Sequence, residues 1–148
     1  DEALERLRKT FELDSNFALA RSFASSVYIE KKLFAEAVAE ALKARELNSV
    51  SSQPVALLCY ALVKSGKQAK ARNELERLLK LSNERYVSPY DIALIYNAFD
   101  EREETFASLE RGFEQRDPRM TFLKVEPKWN NLRNEPRFIE LMRRMNFE

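Results

Sequence analysis

The chain has 148 residues, and its 25 basic and 24 acidic side chains nearly cancel, so the charge gives no footprint for nucleic acid or an anionic membrane. It is 45% apolar and 33% charged, which excludes a disordered chain, and no apolar run approaches the ~20 residues that cross a bilayer. Two glycines and five prolines favour long helices over strands, while a single cysteine, Cys59, excludes an internal disulfide framework and suits a reducing compartment.

Residues 1–13 read as a helix, with Ala3, Leu4, Leu7 and Phe11 on one face. Asp14, Ser15 and Asn16 favour a turn and the next N-cap. Ala18–Lys31 and Ala35–Leu47 form the next two helices, and small residues at Ala24, Ser25, Ala37 and Ala44 let them approach closely as an antiparallel pair. After a break at 48–52, Pro54 opens a helix to Ser65, and Gln68–Leu81 is its mate. Gly66 stands at the turn between them in a left-handed C′ position, which leaves its counterparts Lys32 and Asp100 strained or differently shaped. Ser88-Pro89 caps a helix to about Phe99, and Arg102–Gln115 follows, with Gly112 placed for a close backbone approach. Asp117-Pro118, Glu126-Pro127 and Glu135-Pro136 mark three further helix starts, two of them short and the last running to about Met145.

These elements repeat. Ala3, Ala37, Ala71 and Thr105 lie 34 positions apart, as do Tyr28, Leu62 and Tyr96, and as do Leu7, Ala41, Leu75 and Leu109. A fixed period without insertions marks a solenoid of stacked helix pairs, each unable to bury its apolar face alone. The register ends at about residue 116, and Trp129, Leu132, Phe138, Leu141 and Met142 are placed to cover the open end.

The period and its residues resemble the tetratricopeptide repeat family. Ala24-Ser25, Tyr28, Ala37 and Ala44 carry the likeness in the first full repeat, with Asn48-Ser49 closing it. Leu58-Cys59, Leu62, Gly66, Ala71 and Leu75 carry it in the second, and Ile92-Ala93, Tyr96, Thr105 and Leu109 in the third. The Trp of the family's first helix is absent from all of them. The resemblance implies one all-α domain, a right-handed superhelix of antiparallel helix pairs (an α-solenoid) with a C-terminal helical cap. Its parts would be a half repeat (1–17), three repeats (18–51, 52–85 and 86–119) and the cap (120–148). The tail from Asp117 is similar to the end of repeat regions in large bacterial signalling proteins, which implies a cytoplasmic bacterial regulator from which this chain is a piece.

In that family the first helix of each pair lines a concave groove that takes partner peptides. By register the wall holds Ser22, Ser26 and Glu30, then Gln53, Tyr60 and Lys64, then Tyr90, Asp91, Leu94 and Asn97. Phe23 and Leu57 fall on the same wall and read as core between repeats. Residues at the positions of the family's carboxylate clamp are Ser22, Ser26, Leu57, Val87 and Asp91, so a free terminal carboxylate would meet no cation and face Asp91 instead.

Enzymatic chemistry has little to work with. There is no histidine, no Gly-rich phosphate loop and no Cys/His cluster, so no catalytic residue, cofactor or metal is expected. Cys59 falls in the small-residue column facing a paired helix and reads as a buried inert thiol. Arg133, Arg137, Arg143 and Arg144 interleave with Glu135, Glu140 and Glu148, as on a solvated helix face rather than a nucleic-acid site. The expected partner is therefore a protein or peptide, with neither nucleic acid nor membrane involved. The alternative is self-association, a homodimer formed through the apolar face of residues 1–13.

Overall fold

The structure, a computed structural model, describes residues 2–147. Asp1, expected in the first helix, and Glu148, expected among the acids of the last helix face, lie outside the described residues. The helices are α1 (Glu2–Leu13), α2 (Ala18–Glu30), α3 (Phe34–Leu47), α4 (Gln53–Lys64), α5 (Gln68–Leu81), α6 (Pro89–Ala98), α7 (Arg102–Glu114) and α8 (Pro136–Arg144). Short 3-10 turns at Pro118–Phe122 and Pro127–Trp129 separate α7 from α8. The described residues hold no strand, and the fold is all-α.

Five helices end in the same way. Lys32, Gly66, Asp100, Arg116 and Asn146 all adopt left-handed backbone, with φ between 54° and 81°. In each case the next amide reaches back to a carbonyl five residues earlier, as in Leu33 N to Tyr28 O and Lys67 N to Leu62 O. This closure satisfies carbonyls that the helix end would leave bare. Lys32 and Asp100 therefore copy the shape of the Gly66 turn and bear its strain, because a Cβ is disfavoured there.

The chain divides into two compact units, one running to Arg85 and one starting at Tyr86, where the sequence places the junction of two repeats. In the first unit, consecutive helices from α1 to α5 pack on one another, and α2 also touches α4. Arg21 pairs with Glu40 at 2.8 Å and Ser25 Oγ donates to the Ala37 carbonyl at 2.8 Å, so α2 and α3 run antiparallel. Cys59 Sγ repeats the Ser25 contact one period later, 3.7 Å from the Ala71 carbonyl. Ala24, Ala37, Ala41, Ala44 and Ala71 are buried at these crossings, where the absence of bulk lets Leu58, Leu62, Leu75 and Leu78 close the core. By contrast, α1 has no fully buried residue. Leu4, Leu7 and Phe11 are half-buried, and the Arg21 guanidinium lies 3.9 Å from the Phe11 ring centre.

In the second unit α6 and α7 form a hairpin, and the chain from Asp117 returns to cover it. Met120, Leu123, Trp129, Leu132, Phe138 and Leu141 are all buried, whereas Met142 is half-buried. A Cβ on Gly112 would stand 2.9 Å from Met120 Sδ, so the close approach at that position is made by a side chain and not by the backbone that the sequence suggested. The 34-residue rhythm of buried columns stops after α7, as the sequence suggested: Thr105 and Leu109 are buried, whereas Ile139 and Arg143, one period later, are exposed. Arg102 opens α7 and Pro136 opens α8, and ion pairs Glu103–Arg137 (2.9 Å) and Glu110–Arg144 (2.8 Å) join residues one period apart.

Candidate partner-binding wall

In the second unit the wall is built from α6 upward. Ser88 caps the helix, accepting from Asp91 N at 3.2 Å, and Pro89 occupies the first turn at no hydrogen-bond cost. The Asp117 carboxylate accepts from Ser88 Oγ (2.6 Å), Tyr90 N (3.0 Å) and Arg119 N (3.0 Å), which ties the returning chain to the start of α6. Arg119 Nε then lies 3.0 Å from Asp91 Oδ1, a close ion pair bent away from hydrogen-bond alignment. Further along, Trp129 Nε1 donates to Tyr90 Oη at 2.9 Å, and the two rings meet edge to face at 5.4 Å. Asn97 and Asn131 exchange amide hydrogen bonds at 2.8 and 3.2 Å, and Asn97 Nδ2 also donates to the Lys128 carbonyl at 2.9 Å.

This geometry corrects the sequence-based wall. Tyr90, Asp91, Leu94 and Asn97 were expected to face a partner, but all four are buried. Their polar atoms do not lack company, because residues 117–131 supply it. Periodicity identified the correct side of α6 but carried no sign that the chain itself would lie there. Lys128, Trp129 and Asn131 are the residues that sequence reasoning missed in this role. The spacing of Asn131 from Asn97, one period, was the available signal.

In the first unit the wall of α2 and α4 is buried in part: Ala56, Leu57 and Val63 are buried on α4. Ser22 is buried on α2, with Oγ turned back to the Ala18 carbonyl at 3.3 Å. Ser26, Gln53 and Tyr60 are half-buried, while Glu30 and Lys64 are exposed at the helix ends. The Lys64 ammonium sits 5.4 Å from the Tyr60 ring centre, a cation–π contact on the surface. Leu57 is core, as expected, but Phe23 in the same column is 48% exposed, and Leu19 one turn earlier is 45% exposed. Two large apolar side chains thus stand in water on one stripe of α2. The groups that hold residues 117–131 on α6 are missing here, since Tyr90, Asp91 and Asn97 correspond by register to Ser22, Phe23 and Ile29.

Titration behaviour matches structural roles for two buried groups. Burial, reinforced by the Glu74 charge, pushes the Cys59 thiol up to about 12, so at neutral pH it holds its proton. Burial beneath the returning chain likewise raises Tyr90 far above the ordinary phenol value. Among the described residues no group of three or more His, Cys, Asp or Glu could hold a metal ion, and no helix is long and apolar enough to cross a membrane. No family model matches the chain, and no curated protein or solved structure matches it.

Proposed function

We propose that the chain is a protein-interaction module of the tetratricopeptide kind, its helix pairs stacking into a right-handed superhelix. In this reading a peptide or helix of a partner protein binds along α2 and α4. One observation carries it: α6 has its wall occupied by a peptide segment, and that segment belongs to the chain itself. A stretch of 3-10 turns seated on α6 through an aromatic pair, a backbone carbonyl and an amide supports the reading that such a wall accepts chain. The α2 wall offers exposed Leu19 and Phe23 instead of polar groups, so its partner would insert apolar anchors. The similarity of the tail to bacterial signalling proteins supports a cytoplasmic regulator as the parent.

The test is peptide selection from a displayed random library, followed by affinity measurement on the wild type and on Phe23→Glu. Phe23 is exposed, so the substitution leaves the fold intact. We expect selected peptides to lose at least tenfold in affinity, and equal binding to both proteins would overturn the reading. A second reading, self-association, is favoured by the half-buried apolar face of α1. Sedimentation equilibrium of wild type and Leu7→Glu decides it. A dimer abolished by the variant supports pairing, and a monomer across the whole concentration range refutes it.

A further inference from the structure

A cleft on the first unit is lined by α3, α4 and residues 67–77, and by no residue of α2. Its apolar part comes from Val38 and Leu42 of α3 and from Leu58 and Leu62 of α4, two pairs each one helical turn apart. Its outer edge is α5, from Lys70 to Arg77, about 10 Å along the helix axis. The cleft encloses about 290 Å³, at the lower limit of sites that hold a whole small molecule and better suited to a few inserted side chains.

Charge decides what those side chains are attached to. Lys67, Lys70 and Arg77 line the rim, against Glu74 as the one acid. Glu74 is already engaged by Arg45 at 3.1 Å and Arg77 at 3.6 Å. The ammonium groups of Lys67 and Lys70 make no ion pair among the described residues and are exposed, leaving an uncompensated positive edge beside an apolar floor. The floor offers no hydrogen-bonding side chain, and Asn73 is the only neutral polar group in the lining. An extended peptide would leave backbone groups without partners there, whereas a helix satisfies its own.

We propose that this cleft is a second docking site, which takes an amphipathic acidic helix of a partner protein with apolar residues at i and i+4. Leucine-sized anchors would sit between Val38, Leu42, Leu58 and Leu62, and flanking carboxylates would meet Lys67 and Lys70. The site is independent of the α2 wall.

The probe is a fluorescein-labelled helical peptide with leucines at i and i+4 and glutamates on both flanks, beside a twin carrying lysines for glutamates. Anisotropy titrations use the full chain, its Lys67→Glu/Lys70→Glu variant and Phe23→Glu. Both lysines are exposed, so charge reversal leaves the core untouched. We expect the acidic peptide to bind the wild type, to weaken about tenfold on charge reversal and further as salt rises, and to be unaffected by Phe23→Glu. The lysine peptide should bind only weakly. Equal affinity for both peptides, no binding of the acidic peptide at millimolar concentration, indifference to charge reversal, or loss of binding in Phe23→Glu would each overturn the proposal.

Discussion

Left-handed backbone at Lys32 and Asp100 gives the first prediction. Both residues adopt the conformation that Gly66 adopts one period away, and both turns make the same reaching-back hydrogen bonds. A Cβ in that region costs roughly 1 kcal/mol, offset in part by the entropy that glycine loses on folding. Lys32→Gly should therefore raise the thermal midpoint by a few degrees, and Gly66→Ala should lower it. An unchanged midpoint in both variants would mean that the turns bear no strain. Cys59 gives a second prediction. Its folded value of about 12 lies above that of an exposed thiol, so in alkali the unfolded chain loses this proton before the folded one does. The contribution to stability is level below the ordinary thiol range and falls with rising pH up to about 12, by at most ~1.4 kcal/mol per pH unit. Denaturant midpoints at pH 7 and pH 10 should separate more in the wild type than in Cys59→Ala; equal separation would contradict the assignment. Tyr90 adds a decline of the same sign at higher pH, since burial raises it too.

At the scale of elements, α1 and the returning segment behave differently although both lie at the edge of a unit. α1 has 12 residues, none fully buried, and helices this short are marginal in water without packing. Its amides should exchange with solvent fastest of all the helices and those of α6, with nine of its ten residues buried, slowest. Hydrogen-exchange mass spectrometry reads this directly, and strong protection of Glu2–Leu13 would refute it. Helix positions were legible in the sequence because their ends are local chemistry: Ser88-Pro89, Gly66 and the Asp117-Pro118 step act through neighbours along the chain. What lies across a helix was less legible. Phe23 and Leu57 share a column, yet one is exposed and the other is core, since a column fixes a direction and not a neighbour. Tyr90, Asp91 and Asn97 have the polar character of a surface and are buried because residues 117–131 give Tyr90 and Asn97 hydrogen bonds and Asp91 an ion pair to Arg119. No local rule announces that pairing.

At the scale of the molecule, the division at Arg85 bears on how stability is shared. Trp129 is the only tryptophan and is buried in the second unit, while Cys59 is the only cysteine and is buried in the first. Each unit thus carries its own reporter: indole fluorescence for one, thiol accessibility for the other. Leu75 is buried in the first unit, where α5 closes over α4, and truncating it to alanine should cost about 2–5 kcal/mol. If the helix pairs stack as proposed, stability is a sum over pairs and their junctions, and that loss is felt first in the pairs it touches. Leu75→Ala should lower the denaturant concentration at which Cys59 becomes reactive by more than it lowers the fluorescence midpoint. Trp129→Phe leaves Tyr90 Oη without its indole donor and should act on the second unit, with little effect on Cys59 labelling. Loss of the indole also removes the fluorescence reporter, so unchanged Cys59 labelling is the readout for this variant. Parallel shifts of both reporters in Leu75→Ala would instead show a single cooperative transition. The boundary at Arg85 would then mark a join in the architecture and not in the energetics.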